Sequence, residues 1–239
     1  MMKEKVVAIH QPNFFPWLGF FDKIIRADVF IFLDDVQFPK TGGGVWSNRM
    51  KMLISGTASW VTAPIDRNYS GMRNINEMHF LESTPPWQIK TMKSLENSYK
   101  KYPFYGDIMP FIEPLLHNTE TNIADYNIFA ITQICNLLEL NLTKLKRSSE
   151  IQTTESSNEL LCELTTAVGG NIYMCGGGAG GYQDEAVFKE RGIQLLYQSF
   201  KHPVYPQKGQ EEFVPGLSII DALMNVGAKG VAELLQPKI

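Results

Sequence analysis

The sequence predicts an α/β protein: a parallel sheet with flanking helices and a mainly helical section over residues 85–140. Three observations predict this fold class. An apolar, β-branched run opens the chain, as is typical of a parallel strand that is buried on both faces. In the last third of the chain, strand-like and helix-like segments alternate, which favours a parallel sheet covered by helices. Between these parts, the spacing of apolar residues is mostly helical.

The first 35 residues predict a β-α-β unit. Residues 5–9 form the apolar strand, and Pro12 and Pro16 then prevent a helix immediately after it. Apolar residues three and four positions apart predict a helix over residues 17–26. A second apolar run, at residues 29–33, predicts the next strand, which leads into Asp34 and Asp35.

The remaining elements follow from the same patterns, with each boundary placed at turn-forming residues. Strands are predicted at residues 50–54, 59–63, 75–81, 142–146, 171–174 and 193–198, and helices at residues 123–140, 155–168, 185–191 and after Ser218. Ser218 is a natural N-cap, and Asp221 stands three residues later as in a capping box. Because no internal repeat or low-complexity linker interrupts the pattern, a single domain over residues 1–239 is expected.

Composition excludes several classes of protein. The chain has 44% hydrophobic and 20% charged residues, which is typical of folded proteins. A net charge of −3 with scattered basic residues disfavours nucleic acid as a partner. The sequence has neither an apolar run long enough for a membrane span nor a signal peptide, so a cytoplasmic location is expected. Three cysteines without CxxC spacing indicate neither a disulfide framework nor a zinc site.

His10 is the first candidate catalytic residue. It stands with Gln11 where the first strand ends, and ligands of open α/β sheets bind beyond the carboxyl ends of the strands. A neutral imidazole can donate one hydrogen bond and accept another, whereas an imidazolium can pair with a phosphate. The alternative is that His10 is bonded to backbone and only braces the loop.

Asp34 and Asp35 are the second candidate catalytic pair, at the end of the second strand. Adjacent side chains there point to opposite faces, so one of the two is expected to face a ligand. Either carboxylate could hold a ribose hydroxyl or a divalent cation. The alternative is a solvated pair of turn residues.

A glycine-rich segment follows the predicted strand at residues 171–174. Gly176, Gly178 and Gly181 match the GxGxxG pattern, but five glycines in six residues make this match almost unavoidable, and the expected acidic residue about 20 positions later is absent. The segment is therefore interpreted as backbone that approaches a ligand closely, without implying NAD, or as a flexible turn. Cys175 precedes a helix, which can activate a thiol, but the sequence supplies no base for it.

Further candidate binding residues lie in irregular segments, where binding residues concentrate. Arg49 could hold a phosphate or carboxylate in a forked geometry. The full set of predicted substrate-binding residues is Gln11, Asn13, Trp17, Asn48, Arg49, Gly176, Gly177, Tyr182, His202, Tyr205 and Gln207.

These motifs resemble those of the WbqC-like family over nearly the whole chain. The matching segments are residues 9–19, 28–38, 46–49, the glycine segment after Tyr173, and residues 202–205 and 218–221. The resemblance implies a role in bacterial O-antigen, lipopolysaccharide or other surface-polysaccharide biosynthesis. The order of the first elements is also similar to the nucleotidyltransferases and pantoate ligases of the HUP superfamily, which implies a Rossmann-like sheet. Residues 15–20 lack the histidines of their HxGH motif, although His10 could replace them spatially.

Two functions are consistent with these residues. The first is a transferase or amide-forming ligase that joins an acyl or aminoacyl group to an amino sugar, with ATP or a nucleotide sugar as the candidate cofactor or substrate. In it, His10 orients or deprotonates the amine, Arg49 and the glycine-segment amides hold phosphate, and Asp34 holds a hydroxyl or a cation. The second is a non-catalytic protein that binds a nucleotide-linked sugar and organises pathway enzymes.

Overall fold

The computed structural model describes residues 3–39, 45–176 and 183–236. Its helices are α1 (Leu18–Arg26), α2 (Trp87–Tyr99), α3 (Tyr105–Leu116), α4 (Ile123–Leu137), α5 (Ser157–Ala167), α6 (Glu185–Glu190) and α7 (Ile219–Leu235). Its strands are β1 (Val6–His10), β2 (Val29–Phe32), β3 (Arg49–Ile54), β4 (Thr57–Thr62), β5 (Leu145–Arg147), β6 (Ile172–Cys175) and β7 (Gln194–Tyr197).

The chain forms two compact units, and each is built from three separate segments. The sheet unit comprises Met1–Gln11, Gly19–Asp35 and Asn141–Lys201. The helical unit comprises Pro12–Leu18, Val36–Leu140 and His202–Ile239. The single-domain organisation expected from the sequence stays a prediction.

A parallel sheet forms the centre of the sheet unit. Within the described residues it has five strands in the order β5-β2-β1-β6-β7, and every neighbouring pair is parallel. Val7 and Ile9 of β1 point to one face, where they pack with Val29 and Ile31. Aromatic residues cover the other face, where Phe20 of α1 lies 5.3 Å from Phe30 between ring centroids. The α/β, Rossmann-like fold class predicted from the sequence is confirmed.

The helical unit contains α2, α3 and α4, so the section over residues 85–140 is helical as predicted. It also contains an antiparallel hairpin of β3 and β4. Helix α7 begins at Ile219, and Ser218 is its N-cap, whose side chain accepts a hydrogen bond from the Ile220 N–H. Among the described residues, no helix is long and apolar enough to cross a membrane.

One predicted strand is wrong, and another begins later than predicted. Residues 75–81 contain a 3-10 turn over Ile75–Glu77, followed by isolated bridges to Asn122 and Ile65. Burial does not alternate through this segment, because Glu77 is exposed where a strand would bury it. The buried Phe80 packs against Trp87 of α2 and Tyr126 of α4 instead of belonging to a sheet. The predicted strand at residues 142–146 begins as a 3-10 turn over Leu142–Lys144, and β5 starts only at Leu145.

Candidate functional site

The carboxyl edge of the sheet brings together the ends of β1 and β6. From β1 the sheet continues to β2 and β5 on one side, and to β6 and β7 on the other. The topology therefore changes direction between β1 and β6. In open parallel sheets, the crevice at this switch point is where ligands bind. The last residue of β1 is His10, and the last residue of β6 is Cys175.

His10 is held in one orientation and is neutral. Its Nδ1 lies 3.0 Å from the Gln11 carbonyl oxygen, which can only accept, so Nδ1 donates and the lone pair of the neutral ring is on Nε2. The Phe20 ring packs edge-on against the imidazole at 5.0 Å. Burial, reinforced by the positive charge of Lys23, lowers the pKa of His10 to about 3. At physiological pH, His10 is therefore an uncharged hydrogen-bonding group.

Lys23 lies at this edge of the sheet, where its charge acts on His10, and it is not among the site residues predicted from the sequence. Its residue is 3% exposed, and it lies on α1 three positions after Phe20, hence on the same side of that helix. A Cβ placed on Gly176 would lie 3.6 Å from the Lys23 Nζ. Burial lowers the pKa of Lys23 to about 8. The available signal was a lysine beside the apolar stripe of a helix that follows a strand end.

Cys175 is a poor candidate for the nucleophile that its sequence position suggested. Its Sγ lies 3.7 Å from the Leu196 carbonyl oxygen, toward which the thiol donates. Burial raises the pKa of the thiol, although Lys23 opposes this shift. The thiol therefore stays protonated near neutral pH, which is the less reactive form.

Asp34 and Asp35 lie at the same edge of the sheet, after β2, but they face the segment that follows β5. Asp34 is fully buried and accepts hydrogen bonds from the Ser149 N–H at 3.0 Å and the Ser149 hydroxyl at 2.8 Å. The Ser148 hydroxyl lies within hydrogen-bonding distance of both aspartates. These contacts give Asp34 a structural role, and the catalytic role of the pair stays a prediction.

Other sequence-predicted residues of the sheet unit are only partly accounted for. Gln11 supplies the carbonyl that orients His10, and Gly176 lies beside Lys23. Gly177 and Tyr182 lie outside the described residues. Within the described chain, no group of three or more histidine, cysteine or acidic side chains is arranged to hold a metal ion.

In the helical unit, Trp17 and Arg49 belong to a partly exposed aromatic cluster. The Trp46 ring lies 5.0 Å from that of Trp17 and 4.9 Å from that of Trp60. The Arg49 guanidinium stacks on Trp60 at 4.1 Å from the ring centroid, a typical cation–π contact. Flat, partly exposed rings of this kind can stack on a base or a sugar, and Arg49 adds positive charge beside them.

Asn13 and Asn48 are buried in the same unit. The Asn48 side-chain amide donates to the Ala63 carbonyl at 2.8 Å and so supports the hairpin. Asn13 is 2% exposed, and its Nδ2 meets no hydrogen-bond acceptor among the described residues. Of these two predicted binding residues, Asn13 is therefore the one with a polar group still to satisfy.

Tyr205 and Gln207 form hydrogen bonds with the buried carboxylate of Asp221. The Tyr205 and Tyr99 hydroxyls each donate to Asp221 at 2.8 Å, and the Gln207 amide bonds Val214 at both ends. Asp221 is fully buried, and its pKa is raised by burial against the opposing effect of these hydrogen bonds. Burial also lowers the pKa of the half-buried His202. Tyr205 and Gln207 thus make structural hydrogen bonds within the helical unit. Their predicted substrate contacts stay a prediction.

The parallel sheet, with a histidine and a lysine at its switch point, defines the class of the protein as an open, Rossmann-like α/β protein. A model of the WbqC-like protein family matches residues 11–233, so the chain belongs to this family. It is similar to the uncharacterized protein Rv1507c of Mycobacterium tuberculosis, with 31% identity over 228 residues that cover 94% of this chain and 95% of the relative. No solved structure matches the chain significantly.

Proposed function

We propose that the protein is a transferase or amide-forming ligase that modifies an amino sugar in bacterial surface-polysaccharide biosynthesis. The transferred group is an acyl or aminoacyl group, such as glycyl, and the sugar is nucleotide-linked. The proposal places the reaction in the cytoplasm. The observation that carries it is the neutral, oriented imidazole of His10 at the switch point of the sheet.

The proposed reaction joins an amine to an activated acyl group, such as an acyl phosphate or acyl adenylate made with ATP. As the new C–N bond forms, the bond from the acyl carbon to the phosphate oxygen breaks, and the phosphate or AMP leaves with the electron pair. The amine nitrogen loses a proton to solvent. Only a neutral amine can attack, and a neutral imidazole nitrogen can accept a hydrogen bond from the N–H of such an amine.

His10 suits the orienting role better than that of a strong base. With Nδ1 donating to Gln11, Nε2 is the acceptor nitrogen of the neutral ring, and the proposal assigns this nitrogen to the substrate N–H. A pKa of about 3 favours the neutral form at physiological pH but makes the ring a weak proton acceptor. The proposal therefore assigns His10 to hold the attacking amine in line, and leaves the proton to water.

The experiment is an amide-forming assay with purified protein, ATP, glycine or another small acid, and a panel of nucleotide amino sugars. We expect a mass increase equal to the acyl group on one of the sugars. His10→Ala should lower the rate about 100-fold or more while substrate affinity changes little, because orientation acts on the chemical step. His79→Ala, at an exposed histidine of the helical unit, is the matched control and should leave the rate unchanged. No product across the donor and acceptor panel would refute the proposal.

A second candidate is a non-catalytic protein that binds a nucleotide-linked sugar and organises the pathway. It is favoured by the engagement of Asp34 with Ser149 and of the Cys175 thiol with a backbone carbonyl, because both groups are occupied in structural contacts. Under this alternative, His10→Ala weakens binding of the nucleotide sugar, and neither form yields product. Turnover that is lost while binding persists would exclude it.

A further inference from the structure

Lys23 is a buried cation with no anionic partner among the residues that the structure describes. Its ammonium group makes no hydrogen bond and no ion pair there. Burial lowers the pKa of Lys23, and the nearby Cys175 thiol opposes this shift. The segments outside the described residues contribute no aspartate or glutamate to the sequence. A lysine that is only 3% exposed and has no counter-charge costs free energy, so proteins seldom keep one without a use.

Other lysines in the sheet unit show what a structural lysine looks like here. Lys144 donates to the Ile25 and Ala27 carbonyls at 3.2 and 3.0 Å, at the end of α1. Lys5 donates to the Val168 carbonyl at 2.6 Å. Both stabilise carbonyl groups of the chain. Lys23 differs because no such contact with a carbonyl group is found for its ammonium group among the described residues. Its charge acts on His10 and Cys175, and Gly176 lies next to its Nζ.

We propose that Lys23 binds a phosphate oxygen of the substrate at the crevice between the ends of β1 and β6. The inference rests on the proposed function for the identity of that substrate, a nucleotide-linked sugar or an ATP-derived acyl donor. Its own basis is the position of the ammonium group at the switch point of the sheet, where phosphates of nucleotides are bound in related architectures.

The surroundings of the Lys23 ammonium group favour the binding of a phosphate over that of a smaller or uncharged group. Lysine acts toward phosphate as a compact point charge with three rotatable donors. Gly176 lies next to the ammonium group, and a larger side chain at that position would fill the space beside Nζ. His10 is neutral, so it adds no charge of either sign beside the positively charged Lys23.

The binding test needs no turnover. Calorimetry measures the affinity of the full-length protein for inorganic pyrophosphate, UDP, uridine and acetate at pH 7. We expect pyrophosphate and UDP to bind and compete, with UDP at least about tenfold tighter than uridine. Lys23→Met should weaken pyrophosphate binding at least about tenfold, as expected for the loss of one charge-assisted contact. Lys144→Met is the matched control and should leave it unchanged.

A second readout follows the proton on Lys23. Carbon-13 NMR of its Cε reports the pKa of the amine with and without saturating pyrophosphate. An adjacent oxyanion favours the ammonium form, so the pKa should rise from about 8 toward its ordinary value. The other titratable groups facing Lys23 are His10 and Cys175, and the first is already neutral in this range.

Three results would overturn the inference: equal pyrophosphate affinity in wild type and Lys23→Met, no binding of pyrophosphate or UDP, or acetate binding as tight as pyrophosphate. The last would mean a carboxylate site. The result of the phosphate-binding test can be distinguished from the result of the amide-forming assay. Lys23-dependent pyrophosphate binding without any amide product would sustain this inference and refute the transferase, whereas amide formation with Lys23-independent binding would do the reverse.

Discussion

At the scale of single residues, Lys23 should reduce the stability of the protein. A pKa shifted from 10.5 to about 8 means that the folded state disfavours the charged amine. We expect Lys23→Met to raise the free energy of unfolding by about 1–3 kcal/mol, because the methionine keeps the apolar stem and removes the buried charge. Urea denaturation at pH 7 measures this change.

The sign of the Lys23 effect also fixes its pH dependence. The folded-state pKa lies below the unfolded one, so the penalty is full below pH 8 and shrinks as the pH rises from 8 to 10.5. The gain from Lys23→Met should shrink over the same window. Lys144→Met should instead lower stability by about 1 kcal/mol, because two carbonyls lose their donor. A Lys23→Met variant less stable than wild type would show that the ammonium group has a structural partner.

At the scale of elements, β5 is a short edge strand fixed by side chains beyond its end. It has only three residues, and Asp34 after β2 is bonded by Ser149 after β5. Through these contacts a buried carboxylate fastens two neighbouring strands at the edge where ligands of such sheets bind. The catalytic role predicted for Asp34 and this fastening role compete for the same oxygens.

Replacing Asp34 should therefore loosen the sheet. We expect Asp34→Ala to lower the free energy of unfolding by about 2–4 kcal/mol, because the Ser149 N–H and hydroxyl lose a buried charged acceptor. The backbone amides of Leu145–Arg147 should exchange faster in hydrogen-exchange measurements. Glu150→Ala, an exposed acid of the same segment, serves as the control and should change stability by less than about 0.5 kcal/mol. If Asp34→Ala leaves the stability unchanged, the carboxylate has no fastening role, and the catalytic role predicted for Asp34 is favoured.

The elements also show which features a sequence can predict. Strand β1 was predictable because residues buried on both faces form a continuous apolar run, and α7 because Ser218 marks its start. The segment at residues 75–81 was mispredicted because a short run of apolar and polar residues that packs against helices can look like a half-buried strand.

The residues of the candidate site also include some that the sequence predicts and some that it does not. His10 was predictable because chain order alone puts it at a strand end. The partners of Asp34 and Asp221 come from distant parts of the sequence, and Lys23 has no anionic partner within the described ranges. No local sequence pattern indicates either fact. For Asp34 and Asp221, the resulting hydrogen bonds span 115 and 122 residues. Long-range packing therefore decided which polar residues were structural.

At the scale of the whole molecule, the order of segments sets how the protein should unfold. The chain passes between the sheet unit and the helical unit five times, so neither is a continuous stretch of sequence. The sheet unit in particular brings together three segments whose connections belong to the helical unit. Each unit must therefore close long loops through the other, which favours joint folding.

The distribution of tryptophan makes joint folding measurable. All four tryptophans, Trp17, Trp46, Trp60 and Trp87, belong to the helical unit, so their fluorescence reports that unit alone. We expect one urea transition, with the same midpoint by tryptophan fluorescence and by exchange of the β1 amides in the sheet unit. Lys23→Met, a change in the sheet unit, should then raise the fluorescence midpoint as much as the exchange midpoint. If the β1 midpoint rises while the fluorescence midpoint stays in place, the two units unfold independently and the single-domain prediction fails.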